Sequence, residues 1–149
     1  DVYPRMLAKG LRIHGHRIDP YAHYWSDLGT PQRYFATHKD LLFGQVGLAP
    51  FGDASPLKTK GTGNWWADPS AQLGNLRGAG PAWFGAGCVL EPDVTVGAAV
   101  SIGLGARVRS GAKLNRTVVF DGTEVEGNQL YEDCLLAPGG VRISLTDGL

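Results

Sequence analysis

Between positions 84 and 120 an apolar side chain returns at every sixth residue: Phe84, Leu90, Val96, Ile102, Val108, Leu114 and Phe120. Two places before each stands a small or β-branched residue, in the order Ala82, Cys88, Val94, Val100, Ala106, Ala112 and Val118. A period of six fits neither the 3.6 of a helix nor the simple alternation of one long strand. It suits short strands joined by tight turns and wound into a β-helix, in which each circuit lays like side chains over like. The predicted fold class is therefore mainly β, with a thin core built by stacking and two ends that need caps. Glycine follows the sixth-position residue at Gly85, Gly97 and Gly103, where a corner requires positive φ or the absence of a Cβ. Glu91, Arg109, Asn115 and Asp121 fill that slot in other hexads.

Upstream the pattern changes. Asp1 is placed to cap a short helix running to Lys9 and ended by Gly10, with Pro4 in its first turn. Residues 11–18 alternate, with Leu11 and Ile13 on one face and Arg12, His14 and His16 on the other, which predicts a strand. Thr30 is a good N-cap and Pro31 a good first helical residue. Tyr34, Phe35, His38, Leu41 and Leu42 then share one helical face, and Gly44 closes the segment. A strand, a turn and a helix cannot bury their apolar faces alone, so these elements are expected to be the end of a larger layered domain. Positions 44–63 are rich in Gly, Pro and Ser and read as a linker; the pair Trp65-Trp66 is expected to start the first coil.

Charge narrows the choice of partner. Fourteen basic and fourteen acidic residues cancel, which speaks against nucleic acid or a membrane surface as a partner. No apolar run has the length of a membrane span and no leader opens the chain, so a cytoplasmic location is expected. Two cysteines suit a reducing compartment, and Cys88 falls in an inward slot where it acts as a small hydrophobe.

The hexads resemble the hexapeptide-repeat, left-handed β-helix family, and the expected handedness comes from that resemblance. In that family three hexads make one triangular coil, which would stack Phe84, Ile102 and Phe120, Leu90 on Val108, and Val96 on Leu114. The residues just before the inward ones would point out, placing Trp83 and Val119 on one side, two coils apart. They are the expected contact surface of a homo-oligomer.

A second resemblance lies in Asp1-Val-Tyr-Pro-Arg-Met-Leu, in Tyr24-Trp25-Ser26-Asp27-Leu28-Gly29-Thr30-Pro31, and in Tyr34-Phe35-Ala36 and Asp40-Leu41-Leu42. These stretches are similar to the end of the nucleotidyltransferase domain of sugar-1-phosphate nucleotidylyltransferases, above all the mannose-1-phosphate guanylyltransferase-like members that carry a hexapeptide β-helix. The resemblance implies three parts: residues 1–43 as the end of that domain, 44–63 as linker, and 64–149 as a left-handed β-helix. It also implies a parent enzyme that joins a nucleoside triphosphate to a sugar 1-phosphate and releases pyrophosphate. Its glycine-rich triphosphate loop has no counterpart here, so no catalytic residue is assigned and the fragment alone is expected to be inactive. Pro20-Tyr21-Ala22-His23 looks like a small insertion before the motif. Asp27 matches the family aspartate that helps hold Mg²⁺; its alternative role is to cap the following turn. Gly29 and Thr30 are expected to shape the turn and start the helix.

Histidine decides the rival readings. Hexapeptide-repeat acyltransferases use a coil histidine to deprotonate the acceptor. Here His14, His16, His23 and His38 all precede the hexads, although a histidine from another subunit would serve the same purpose. His14 and His16 lack a third ligand at zinc spacing and read as an exposed strand face. The acidic stretch 121–132 reads as solvated, and a purely structural β-helix remains the other alternative.

Overall fold

Residues 65–146 of the computed structural model wind into a parallel β-helix of three faces, and the structure as a whole describes residues 1–19, 23–46, 55–57 and 65–146. In chain order the elements are α1 (Val2–Ala8), α2 (Pro31–Leu42), β1 (Ser55–Leu57), β2 (Trp65–Ala67), β3 (Gln72–Leu73), β4 (Arg77–Gly78), β5 (Ala82–Phe84), β6 (Val89–Leu90), β7 (Thr95–Val96), β8 (Val100–Ile102), β9 (Arg107–Val108), β10 (Lys113–Val119), β11 (Glu124–Val125), β12 (Leu130–Ala137) and β13 (Val141–Ser144). The first face stacks β2, β5, β8, the end of β10 and the end of β12. A second stacks β3, β6, β9 and β11, and the third stacks β4, β7 and the starts of β10 and β12. Inside the prism Phe84, Leu90, Val96, Ile102, Val108 and Leu114 are buried, as are Cys88, Val94, Val100, Ala106 and Ala112 in the small slots. The pairs Phe84–Ile102, Leu90–Val108 and Val96–Leu114 are in register as the hexads require.

The register departs from the hexads one coil later. Ile102 pairs with Val119, not Phe120, and Val118 pairs with Ser101. Leu114 still pairs with Val96, so one residue is lost from the corner between Leu114 and Val119. Arg116 turns that corner at φ 45°, and Asp133, its partner across the coil, turns the next at φ 48°. Arg116 Nε donates to Asp133 Oδ1 at 2.6 Å, tying the two shortened corners together. Two corrections follow. Val119, expected on the outer surface, is 1% exposed inside the prism, and Phe120, expected inside, lies half-buried outside. The sequence pattern predicts a slip only near Thr123-Glu124-Val125; it comes earlier, and Thr123 and Val125 are both inward and buried.

The glycine slots owe their residue to space. None of Gly85, Gly97 and Gly103 has positive φ. A Cβ on Gly97 would lie 2.5 Å from Asn115 Oδ1, and one on Gly103 would lie 2.5 Å from the backbone nitrogen of Asp121. Asn115 and Asp121 occupy the same slot one coil on, and their carboxamide and carboxylate oxygens accept from the Ala98 and Leu104 amides below. At these two slots the polar side chain of one coil folds over the glycine beneath it.

Both ends of the first face are covered by a short antiparallel strand, β1 on β2 and β13 on β12, so that the parallel stack itself presents no bare strand there. β1 lies within the expected linker, most of which falls outside the described residues. Before the β-helix, α1 forms and Gly10 follows at φ 66°, but Asp1, although at the N-cap position, makes no capping hydrogen bond with its side chain. The strand expected at 11–18 does not form: Leu11, Ile13 and Ile18 are exposed, and no described strand lies beside them to pair with. Alternation creates a potential strand, but ladder partners make it one. The expected insertion at 20–23 lies mostly outside the described residues.

Candidate functional site

The site grows from the first turn of α2. Thr30 is extended at φ −137° and its hydroxyl accepts from the Arg33 amide at 3.3 Å, while Pro31 occupies the first helical turn. Just before it, Asp27 Oδ1 accepts from the Gly29 amide at 3.0 Å, and Arg33 Nη1 donates to Asp27 Oδ2 at 2.7 Å. Asp27 therefore closes its own turn and pairs with the helix it precedes. A Cβ on Gly29 would come within 3.2 Å of that carboxylate. The ion pair is about half-exposed on both sides, so its electrostatic contribution to stability is small.

Residues 24–27 are tied along the helix by side chains that the sequence pattern does not flag. Tyr24 donates to Asp40 Oδ2 at 3.0 Å, and the Thr37 hydroxyl donates to Ser26 Oγ at 2.8 Å. Arg33, Thr37 and Asp40 lie on one face of α2. Tyr34, His38 and Leu41 lie on the adjoining face, one residue further round, and that side meets the β-helix. The Tyr34 ring stacks on Phe120 at a centroid distance of 5.6 Å and a 20° interplanar angle. His38 Nδ1 lies 3.1 Å from Ser101 Oγ, with the Tyr34 ring 4.7 Å away. Burial at this junction lowers the His38 pKa from its ordinary 6.5 and raises that of Tyr34, to which Asp121 adds a further upward push.

Ser101 and Val118, outward residues of the first face, are 4% and 3% exposed in consequence. Trp83, in the same outward row, is half-buried, so of the two expected contact residues only Trp83 points outward. His38 does reach a coil in space, but Ser101 beside it is closed to any acceptor substrate. Apolar side chains elsewhere in the first 43 residues are bare: Trp25 is 73% exposed, Leu7 64% and Leu28 51%.

No group of three or more His, Cys, Asp or Glu side chains with metal-holding geometry occurs among the described residues. Asp27 suits Mg²⁺ as one accessible hard oxygen ligand, in competition with Arg33. His14 and His16 are exposed. Cys88 and Cys134 are both free thiols at 0% exposure. Burial, aided by Asp68, pushes Cys88 up to about 11, so it is inert at neutral pH. Among the described residues no helix is long and apolar enough to cross a membrane.

No protein-family model matches the chain. It is 30% identical over 134 residues to a mannose-1-phosphate guanylyltransferase of Mycobacterium tuberculosis, a match covering 89% of this chain and 30% of that protein. It is 27% identical over 146 residues to a glucose-1-phosphate adenylyltransferase of Nitrosomonas europaea, covering 93% of this chain and 29% of that protein. The chain thus spans about three tenths of the length of these two relatives. Over most of its length, β-helix included, the chain is thus distantly similar to two sugar-1-phosphate nucleotidylyltransferases.

Proposed function

We propose that this chain is the C-terminal part of a sugar-1-phosphate nucleotidylyltransferase whose remaining length carries the nucleoside triphosphate site. In the parent reaction a phosphate oxygen of the sugar 1-phosphate attacks the α-phosphorus of the triphosphate and pyrophosphate leaves. Such chemistry depends on positioning and on neutralising phosphate charge. Mg²⁺, when bound, supplies that neutralisation, and Asp27 is the residue of this chain that would hold it, with phosphate oxygens and water as further ligands. Arg33 and the Gly29 amide fix the direction of the Asp27 carboxylate. With a single carboxylate and no triphosphate loop, the chain by itself is inactive and binds the metal weakly. The β-helix serves assembly or regulation in a cytoplasmic homo-oligomer.

The observation that carries this reading is the Asp27 turn pinned to α2 beside a β-helix, in a chain resembling two nucleotidylyltransferases over most of its length. The bare apolar surface around Trp25 and Leu28 agrees with a further domain lying against it. The test is pyrophosphate release from a nucleoside triphosphate and a sugar 1-phosphate, with Mg²⁺ titrated. The full-length protein should turn over, the 149-residue chain should not, and Asp27→Asn in the full-length protein should keep the fold and lose metal-dependent turnover. Activity in the isolated chain, or an undiminished rate in the Asn variant, would remove Asp27 from the reaction.

A further inference from the structure

We infer that Tyr34, His38 and Phe120 are positioning residues, which hold the Asp27 turn in place by fixing α2 on the β-helix. This inference rests on the role of Asp27 proposed above. The argument begins with the two faces of α2. Arg33, Thr37 and Asp40 hold residues 24–27 through three side-chain bonds of 2.7, 2.8 and 3.0 Å. One residue round the helix, Tyr34 and His38 hold the β-helix through a ring stack and a 3.1 Å polar contact. A twelve-residue helix is stiff over this span, so the turn and the coil are joined through one rigid strut.

The corner described above is what makes the strut fit. Because one residue is lost between Leu114 and Val119, Phe120 is turned out of the prism and becomes the platform for Tyr34. Had the six-residue period continued, the Phe120 ring would lie inside and α2 would have no aromatic seat. Ser101 and Val118 lose nearly all their exposure to the same junction. The β-helix is thus more than an appendage: its third and fourth circuits set where the carboxylate stands relative to the bound phosphates.

Phe120 acts on α2 through the Tyr34 ring, which separates positioning from chemistry. In the full-length protein Phe120→Ala is compared with Phe120→Tyr and with Asp27→Asn, reading kcat, the KM for each substrate and the half-saturating Mg²⁺ concentration. Amide exchange of residues 32–42 is followed on the same samples. Phe120→Ala should leave β-sheet circular dichroism intact, speed exchange in α2, and lower kcat about 10- to 100-fold, the scale expected when a reacting group is displaced by an ångström. The KM for the triphosphate should stay within about twofold, because its site is elsewhere. Phe120→Tyr, which keeps the ring, should restore all of these. Loosened α2 exchange with unchanged kcat and Mg²⁺ dependence would overturn the inference, as would unchanged exchange. An active Asp27→Asn protein would signal instead that the functional reading has failed and the inference with it.

Discussion

The corner between Leu114 and Val119 makes a prediction that separates two registers differing by a single residue. If Val119 is the inward residue, Val119→Asp places a carboxyl between Ile102 and Leu136, both buried and without a polar partner in that column. Losing the valine forfeits about 1.6 kcal/mol of transfer energy, taking ~0.8 per buried carbon. Keeping the carboxyl neutral at pH 7 requires its pKa to rise by about 3 units, or roughly 4 kcal/mol. The sum approaches 6 kcal/mol, comparable to the entire stability of a small domain. Val119→Asp should therefore show no cooperative melt at 37 °C.

Phe120→Asp removes only a half-buried ring. It loses the stack on Tyr34, worth about 0.5–1.5 kcal/mol beyond its area, and the charge remains in water. Its β-sheet signal should persist and its melting temperature fall by several degrees. The milder Val119→Ala should cost about 2–3 kcal/mol in urea titration, adding a cavity of roughly 50 Å³ to the transfer term. A folded Val119→Asp protein beside an unfolded Phe120→Asp protein would restore the uninterrupted six-residue period and refute the shortened corner.

Two further outcomes are expected. His38 is neutral when buried against Ser101 and the Tyr34 ring, with burial holding its pKa below 6.5; released α2 therefore binds more protons, and docking weakens as pH falls through about 6.5 toward the lowered value. Exchange of α2 amides, corrected for intrinsic rates, should speed up between pH 7.5 and 5.5, and His38→Gln should abolish that dependence. Cys88, raised to about 11 and fully enclosed, should resist a thiol reagent at pH 8 until denaturant is added; fast labelling of the native chain would show that its coil opens.

The parts legible in sequence are those in which one residue's neighbours along the chain decide its state. The hexads carry their own inward and outward positions, and Thr30-Pro31 starts a helix by local hydrogen bonding and fixed φ. The shortened corner was hidden because Val118, Val119 and Phe120 are three apolar residues in succession. Any of them could face in, and it is pairing with Ile102 below and Leu136 above that selects Val119. Residues 11–18 misled for the opposite reason, a clean alternation with no neighbouring strand. At the site, the turn around Asp27 could be read from its motif. Its attachment could not, since Tyr24 meets Asp40 sixteen residues on and His38 meets Ser101 sixty-three residues on, with no periodicity to announce either.

The stacked slots at Gly97 and Gly103 impose different histories on two glycines that look alike. The three atoms nearest to a Cβ at position 97 all belong to the Asn115 side chain. Gly97 is therefore conditional: a lineage that first shortens Asn115 gains room to enlarge position 97, whereas the reverse order passes through a clashing intermediate. The pair behaves as one locus split across eighteen residues, and its double change should cost less than its parts added together. At position 103 the Asp121 side chain is again in the way, but so is the backbone of Phe120 and Asp121, which no substitution there can move aside. Gly103 is unconditional, and drift in the coil must go around it.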